Sequence, residues 1–356
     1  MKGYLILENG DVFEGEQIGY PKETCFELVF TTGMSGYIET FTDPTYAGQG
    51  VVMTYPVIGN YGVMPEDFES DNVWVKAVFI HTLAKFESNF RSKYSLEKLL
   101  RDNKIPGLSE INTRKLTKVL RENGTMKAAI VSNIDKKDEI VKKIQEYKIE
   151  NKIDEVTSKQ IKEYGKSKEH KIGLIDYGFK HSIVNSFLKR DIGVIIFPAK
   201  TPAEEILRYK LDGIVLSNGP GNPEECRTEI ENVKRLYREE IPMFGIGLGH
   251  QLVGLATGAK VEKLKYGHRG ASQPIKEMKT GRVYMSNQNH GYHLKESSIN
   301  SALADVSYKN LNDNTVEGLK FKNKKIMTVQ FSPEVGDAEY IFDEFAKEVR
   351  GGKINA

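Results

Sequence analysis

Cysteine is almost absent from this chain: Cys25 and Cys226 are the only two in 356 residues. Two thiols so far apart in sequence exclude a disulfide framework and a cysteine-based zinc site, and they fit a reducing compartment. An excess of one charge is missing too. Lys and Arg number 51 against 49 Asp and Glu, a net charge of +2, which points away from nucleic acid and from membrane surfaces as partners. No apolar run approaches the roughly 18 residues that a membrane-spanning helix needs. The opening stretch MKGYLILENGDVFEGE has no basic region followed by an apolar one, so no secretory signal is expected and the expected location is the cytoplasm. Internal repeats and low-complexity tracts are lacking. Gly165-Lys166-Ser167 ends like a phosphate-binding loop, but Gln160 stands where that motif needs glycine and no strand precedes it. What is present is ordinary: 39% apolar and 28% charged residues suffice for a globular core. A chain of this length corresponds to about two domains.

Two rhythms divide the sequence. Residues 1–145 open with a hairpin signature, Tyr4–Leu7 and Val12-Phe13 around Asn9-Gly10. Further β-rich segments follow at Phe26–Thr31, Val51–Tyr55 and Val73–Phe79, with helical periodicity at Leu96–Arg101 and Thr113–Glu122. The expectation is a compact α+β domain. Residues 146–170 are dominated by charge and read as a linker. From 171 to 350 strands and helices alternate. Strands are expected at Ile172–Ile175, Val194–Phe197, Gly213–Leu216 and Met243–Ile246. Helices are expected at Ser182–Leu188, Pro202–Tyr209, Thr228–Glu239 and from Leu248. This alternation predicts an α/β domain with a doubly wound, mainly parallel sheet, whose binding crevice lies beyond the carboxyl ends of its strands. Two glycine-rich loops end strands there, Ser217–Pro223 and Gly245–Gln251.

The second loop, GIGLGHQ, has the form of a nucleophile elbow. A strand, a sharp turn between two glycines and a helix lift one central side chain above the sheet. The helix N-terminus behind that residue favours negative charge. The central residue is Gly247, which has no side chain to lift. Pro242–Ala259 resembles the elbow of class I glutamine amidotransferases, whose pattern is G-I/V-C-L-G-H/Q-Q. Ser217–Pro223 resembles their oxyanion loop, and Ser286–Gly291 and Val329–Glu334 resemble two further segments of that family. The first part narrows the resemblance. Thr31–Gln49, Thr54–Gly62, Ser88–Ser92 and Ile105–Gly124 are similar to the N-terminal domain of the carbamoyl-phosphate synthase small subunit, and Tyr266–Pro274 to a further stretch of it.

The resemblance implies hydrolysis of the glutamine side-chain amide by a Cys-His-Glu triad, with backbone N–H groups on the oxyanion. Carried over residue by residue, the cysteine position is Gly247 and the histidine position is Ser332, while Glu334 is retained. With no imidazole to orient, Glu334 is expected to be a helix-cap or surface carboxylate. Glutamine would contact Leu248 and Gln251 beside the elbow, Gly219 and Gly221 in the oxyanion loop, and Asn289, Gly291 and Tyr292. Gly33 stands where some members use serine. Tyr266–Pro274 departs from the family's pattern at Ala271, Ser272 and Gln273. Cys226 is not on an elbow and is not expected to replace the nucleophile. His250, His290 and His293 are expected to hydrogen-bond within the fold, and no metal site is proposed.

The resulting expectation is a small subunit of carbamoyl-phosphate synthase, serving pyrimidine and arginine biosynthesis, whose own glutaminase step is lost. It would serve as a structural or regulatory subunit of an ammonia-using complex. Its partner would be the large subunit, which would carry ATP and divalent metal, so that no cofactor is expected on this chain. L-glutamine is the candidate ligand; nucleic acid and membrane are not expected. Two alternatives are an active glutaminase using unrecognised residues and a regulator that binds glutamine without hydrolysing it.

Overall fold

The computed structural model describes residues 1–150 and 152–351. It divides into two compact units. The first comprises Met1–Glu150 with Lys265–Gly270, and the second the remainder.

In the first unit seven strands close into a barrel. They are β1 (Lys2–Leu7), β2 (Val12–Gly19), β3 (Thr24–Thr31), β4 (Gln49–Met53), β5 (Ala77–Phe79), β6 (Pro106–Ser109) and β7 (Met126–Val131), in the order β1-β2-β6-β5-β4-β3-β7. Alternating side chains give the barrel its inside: Leu5, Leu7, Phe26, Leu28, Phe79 and Leu108 are all buried in one cluster. The Asn9-Gly10 turn joins β1 to β2, with Gly10 in the left-handed region and the Leu7 N–H donating to the Asp11 carbonyl at 2.9 Å. Helix α1 (Thr113–Asn123) is capped by Asn112, whose side chain accepts from the Lys115 N–H, and it buries Leu116 and Leu120. Closure into a barrel is more specific than the expected α+β domain, because alternation within strands says nothing about which strands pair.

The second unit is built on a ten-stranded sheet. Its strands are β8 (Lys162–Tyr164), β9 (His170–Asp176), β10 (Ile192–Pro198), β11 (Gly213–Leu216), β12 (Met243–Ile246), β13 (Val261–Glu277), β14 (Val283–Leu294), β15 (Ala304–Asn310), β16 (Val316–Phe321) and β17 (Ile326–Val329), in the order β8-β10-β9-β11-β12-β17-β16-β15-β13-β14. The strands from β10 to β17 in that order pair parallel, and apart from half-buried residues at the start of β9 and the end of β10 they are buried, as both-face coverage by helices requires. The pairings of β15 with β13 and β16, and of β16 with β17, are antiparallel. The sheet is therefore mixed, with the expected parallel order at its centre. Helices α2 (His181–Lys189), α3 (Arg227–Tyr237), α4 (Leu248–Ala256) and α5 (Tyr340–Gly351) flank it.

The linker expected at 146–170 takes a different form. Ile153 is buried in the main cluster of the second unit. β8 pairs antiparallel with β10 along the sheet edge. The Ser158 N–H and hydroxyl both donate to the Asp176 carboxylate, at 2.6 and 2.7 Å. Of the charged residues that suggested a linker, Lys162 and Glu163 lie on this edge strand, where charge is tolerated and discourages further pairing, and most of the others lie in the segments on either side of it. The boundary falls near 150 instead.

Candidate functional site

Strand β12 is fully buried and ends in the elbow. Gly247 has φ 56° and ψ −111°, a conformation that L side chains adopt only under strain. Its N–H donates to the Val329 carbonyl at 2.8 Å, and its carbonyl accepts from the Gln251 N–H at 3.2 Å as α4 begins. The turn is held from a second position. The Gly249 N–H donates to the Ser217 carbonyl at 3.0 Å, and a Cβ on Gly249 would lie 2.2 Å from the Leu216 carbonyl oxygen. Only glycine lets the start of the helix approach the neighbouring strand this closely. A Cβ on Gly247, in contrast, would point at Asn218, 3.2 Å from its Cβ, a tight but not forbidden approach.

Around this elbow the fold gathers most of the residues singled out in the sequence. Leu248 and Gln251 are buried in the first turn of α4. Gly219, in the loop after β11, lies against Leu248: a Cβ there would be 2.9 Å from Leu248 Cδ2. Gly221 is in the same loop, in the left-handed region. Asn289, Gly291 and Tyr292 share β14. The Gln251 side-chain amide donates to the Tyr292 carbonyl at 2.8 Å and to Gln330 Oε1 at 2.9 Å, tying α4 to β14 and to the segment after β17. Gly33 belongs to the first unit, in the loop after β3, where a Cβ would come 3.3 Å from the Ser35 carbonyl.

The segment after β17 carries Ser332 and Glu334. The Ser332 N–H donates to the Asn287 carbonyl at 2.9 Å, which fixes the segment against β14. The expected surface position of Glu334 is corrected by the structure. Its side chain is 0% exposed and ion-paired with Lys180, itself 3% exposed. Lys180 Nζ also donates to the Ser332 hydroxyl at 2.8 Å. A carboxylate this deep needs a cation beside it, and Lys180, at the start of α2, supplies one. Sequence reasoning missed Lys180. The available signal was a lysine placed just after a strand end in the crevice of an α/β sheet, Asp176–Lys180.

The histidines lie within the fold. His250 Nδ1 is 2.7 Å from Thr328 Oγ1, and burial, with His293 nearby, lowers its pKa to about 3, so the ring is neutral. His290 meets the Tyr292 carbonyl at 2.8 Å and Gln288 Oε1 at 2.9 Å, and His293 Nδ1 meets the Leu294 carbonyl at 3.0 Å. Cys226 is buried at the N-cap of α3, its thiol 3.5 Å from the Asn222 carbonyl, and not on an elbow. Asn218 Oδ1, His250 Nε2 and Gln330 Nε2 are buried without a hydrogen-bond partner among the described residues. Among these residues no helix is long and apolar enough to cross a membrane.

A parallel-centred sheet, with an elbow at the end of β12 and a glycine-rich loop after β11, defines the class. Residues 173–347 match the family described as glutamine amidotransferase class-I. Residues 5–130 match the carbamoyl-phosphate synthase small chain, CPSase domain. The carbamoyl phosphate synthase small chain of Listeria monocytogenes (serotype 4b) is 44% identical over 364 residues, covering 100% of this chain and 99% of its own. The pyrimidine-specific small chain of Bacillus subtilis is also 44% identical, over 98% of this chain and 96% of its own. A glutamine amidotransferase of known structure from Thermotoga maritima is similar over 52% of this chain, with 18% identity and a TM-score of 0.39. The chain belongs to the carbamoyl-phosphate synthase small-chain family.

Proposed function

We propose that this small chain has lost its own glutaminase step and works as the structural or regulatory subunit of a complex that makes carbamoyl phosphate from free ammonia. Its partner is the large chain, which carries ATP and divalent metal. The setting is cytoplasmic pyrimidine biosynthesis, the specificity in the name of the Bacillus subtilis relative, or arginine biosynthesis. One observation carries the reading. At the elbow, where the family resemblance puts the thiolate, Gly247 offers no nucleophile, and the retained carboxylate Glu334 faces Lys180 and Ser332 rather than an imidazole. Covalent hydrolysis without nucleophile and base has no attacking atom and no proton carrier; losses of this kind are on the order of a million-fold. Cys226, buried and held at a helix cap, is not placed to replace the thiol.

The test is synthesis of carbamoyl phosphate by the purified complex, fed ammonium or glutamine. Ammonium supports synthesis and glutamine does not, and the variant Gly247→Cys with Ser332→His gains glutamine-dependent turnover. Equal use of both nitrogen sources by the unaltered complex overturns the reading.

A second reading, a regulator that binds glutamine without cleaving it, is favoured by the buried Asn218 Oδ1 and Gln330 Nε2. An acceptor and a donor without partners beside the elbow suit a primary carboxamide, which offers both. Calorimetry with glutamine on the isolated chain decides: heat of binding at millimolar ligand supports it, and its absence removes it.

A further inference from the structure

Two buried amides beside the elbow each have one free end. Asn218, 5% exposed in the loop after β11, donates from Nδ2 to the Gly178 carbonyl at 3.0 Å. A carbonyl only accepts, so this bond fixes which way the amide points, and Oδ1 is the end without a partner among the described residues. Gln330, 3% exposed after β17, is fixed in the opposite sense. Gln251 Nε2, itself oriented by the Tyr292 carbonyl, donates to Gln330 Oε1 at 2.9 Å, and Gln330 Nε2 is the end without a partner. One acceptor and one donor are thus left over at the same elbow, whereas buried polar groups in folded proteins are as a rule bonded to something.

Gly247 lies beside both residues. A Cβ there would stand 3.2 Å from Asn218 Cβ and 3.9 Å from the Gln330 carbonyl oxygen. Glycine leaves this space unfilled.

Charge decides what suits the space. Helix α4, nine residues long, begins there and brings the positive end of its dipole. The Lys180 and Glu334 charges answer each other, and burial keeps the His250 ring neutral. This setting does not favour a cation. A small neutral molecule with a lone pair and N–H bonds accepts from Gln330 Nε2 and donates to Asn218 Oδ1. Ammonia is such a molecule. Ammonium, with N–H bonds alone, leaves the Gln330 donor unanswered and meets the helix dipole with the wrong sign. The neutral form is also the nucleophile, because only it keeps the lone pair.

We propose that the elbow around Gly247 is a binding site for neutral ammonia, held between Asn218 Oδ1 and Gln330 Nε2, from which the complex draws its nitrogen. The proposal rests on the ammonia-using reading above and adds the place where ammonia is taken up.

The test is the KM for ammonia in carbamoyl phosphate synthesis by the purified complex, with the chain unaltered or carrying Asn218→Ala or Gly247→Ala. The first variant removes a hydrogen bond and the second puts a methyl group into the space. Each is expected to raise KM by roughly tenfold, the worth of one buried hydrogen bond. Gly247→Ala, whose strain is slight, keeps the proposal testable should Asn218→Ala not fold. Thermal melts of the free chain in ammonium chloride, against equal sodium chloride, give a readout that a merely structural role does not move. The unaltered chain gains stability in the ammonium salt, and gains more at pH 8 than at pH 7, because the neutral fraction rises about tenfold per unit. Gly247→Ala shows no such gain. An unchanged KM in both variants overturns the proposal, and the elbow then holds water only. A gain in melting temperature that does not depend on pH overturns it in favour of the ammonium cation. Synthesis from glutamine by the unaltered complex overturns the ammonia-using reading itself, so the two failures are distinct.

Discussion

The elbow at Gly247 and the corner at Glu334 pose opposite physical problems to the fold. At the elbow a side chain is missing from a strained turn, and glycine is the residue that relieves the strain, so the backbone keeps its path with hydrogen bonds to Val329 and Gln251. At the corner the Glu334 side chain is a fully buried carboxylate, which cannot simply be left without a cation. It is matched by Lys180, which also holds Ser332. The difference teaches that an absent side chain is tolerated by backbone geometry alone, whereas a buried charge demands a partner wherever the chemistry goes.

The sharpest way to break this contrast is at the corner. Lys180→Met strands Glu334 without its cation and is expected to lower stability by about 3–5 kcal/mol, with Lys180→Met plus Glu334→Gln recovering most of the loss. Urea titrations of both variants check this, and an unchanged midpoint in the single variant refutes it. A second handle is His250, under the elbow. Its folded pKa of about 3 lies below the unfolded value of roughly 6.5. The unfolded chain therefore takes up the proton first. The stability of the neutral ring is whole above pH 6.5 and drains away as pH falls toward 3, by about 1.4 kcal/mol per unit. Unfolding measured at pH 7, 6 and 5 should show this slope in the parent and not in His250→Gln; parallel slopes would remove the assignment. The smallest effect is expected at the elbow. Gly247→Ala places a Cβ in tight contact with Asn218 and imposes strain of about 1 kcal/mol, read as a slightly lower melting temperature. A loss as large as that of Lys180→Met would erase the distinction between turn and charge.

The sequence made the centre of the second unit legible. Gly213–Leu216 and Met243–Ile246 are strands over the expected residues, and α4 starts at Leu248 as expected. Short apolar runs bounded by glycine carry that information locally. The gathering of Leu248, Gln251, Gly219 and Tyr292 was implied by the resemblance to class I glutamine amidotransferases; the alternating pattern located only the two glycine-rich loops at strand ends. What escaped was non-local. Lys180 and Glu334 are 154 positions apart, and no periodicity joins two lone charges. The edge strand Lys162–Tyr164 was hidden by its own charges, because an exposed edge and a solvated linker share a composition. Phe86 and Phe90 gave no signal either, since apolar residues are expected inside and exposure is visible only once the chain is folded.

Gly249 has a consequence for how such chains are recognised. Its missing Cβ is what lets α4 start against the Leu216 carbonyl, so the shape of the turn is underwritten two residues away from its centre. A lineage can therefore change the central residue and still inherit the loop intact. Fingerprints written around the flanking glycines therefore report the shape of the turn, and the identity of the residue between them has to be read separately.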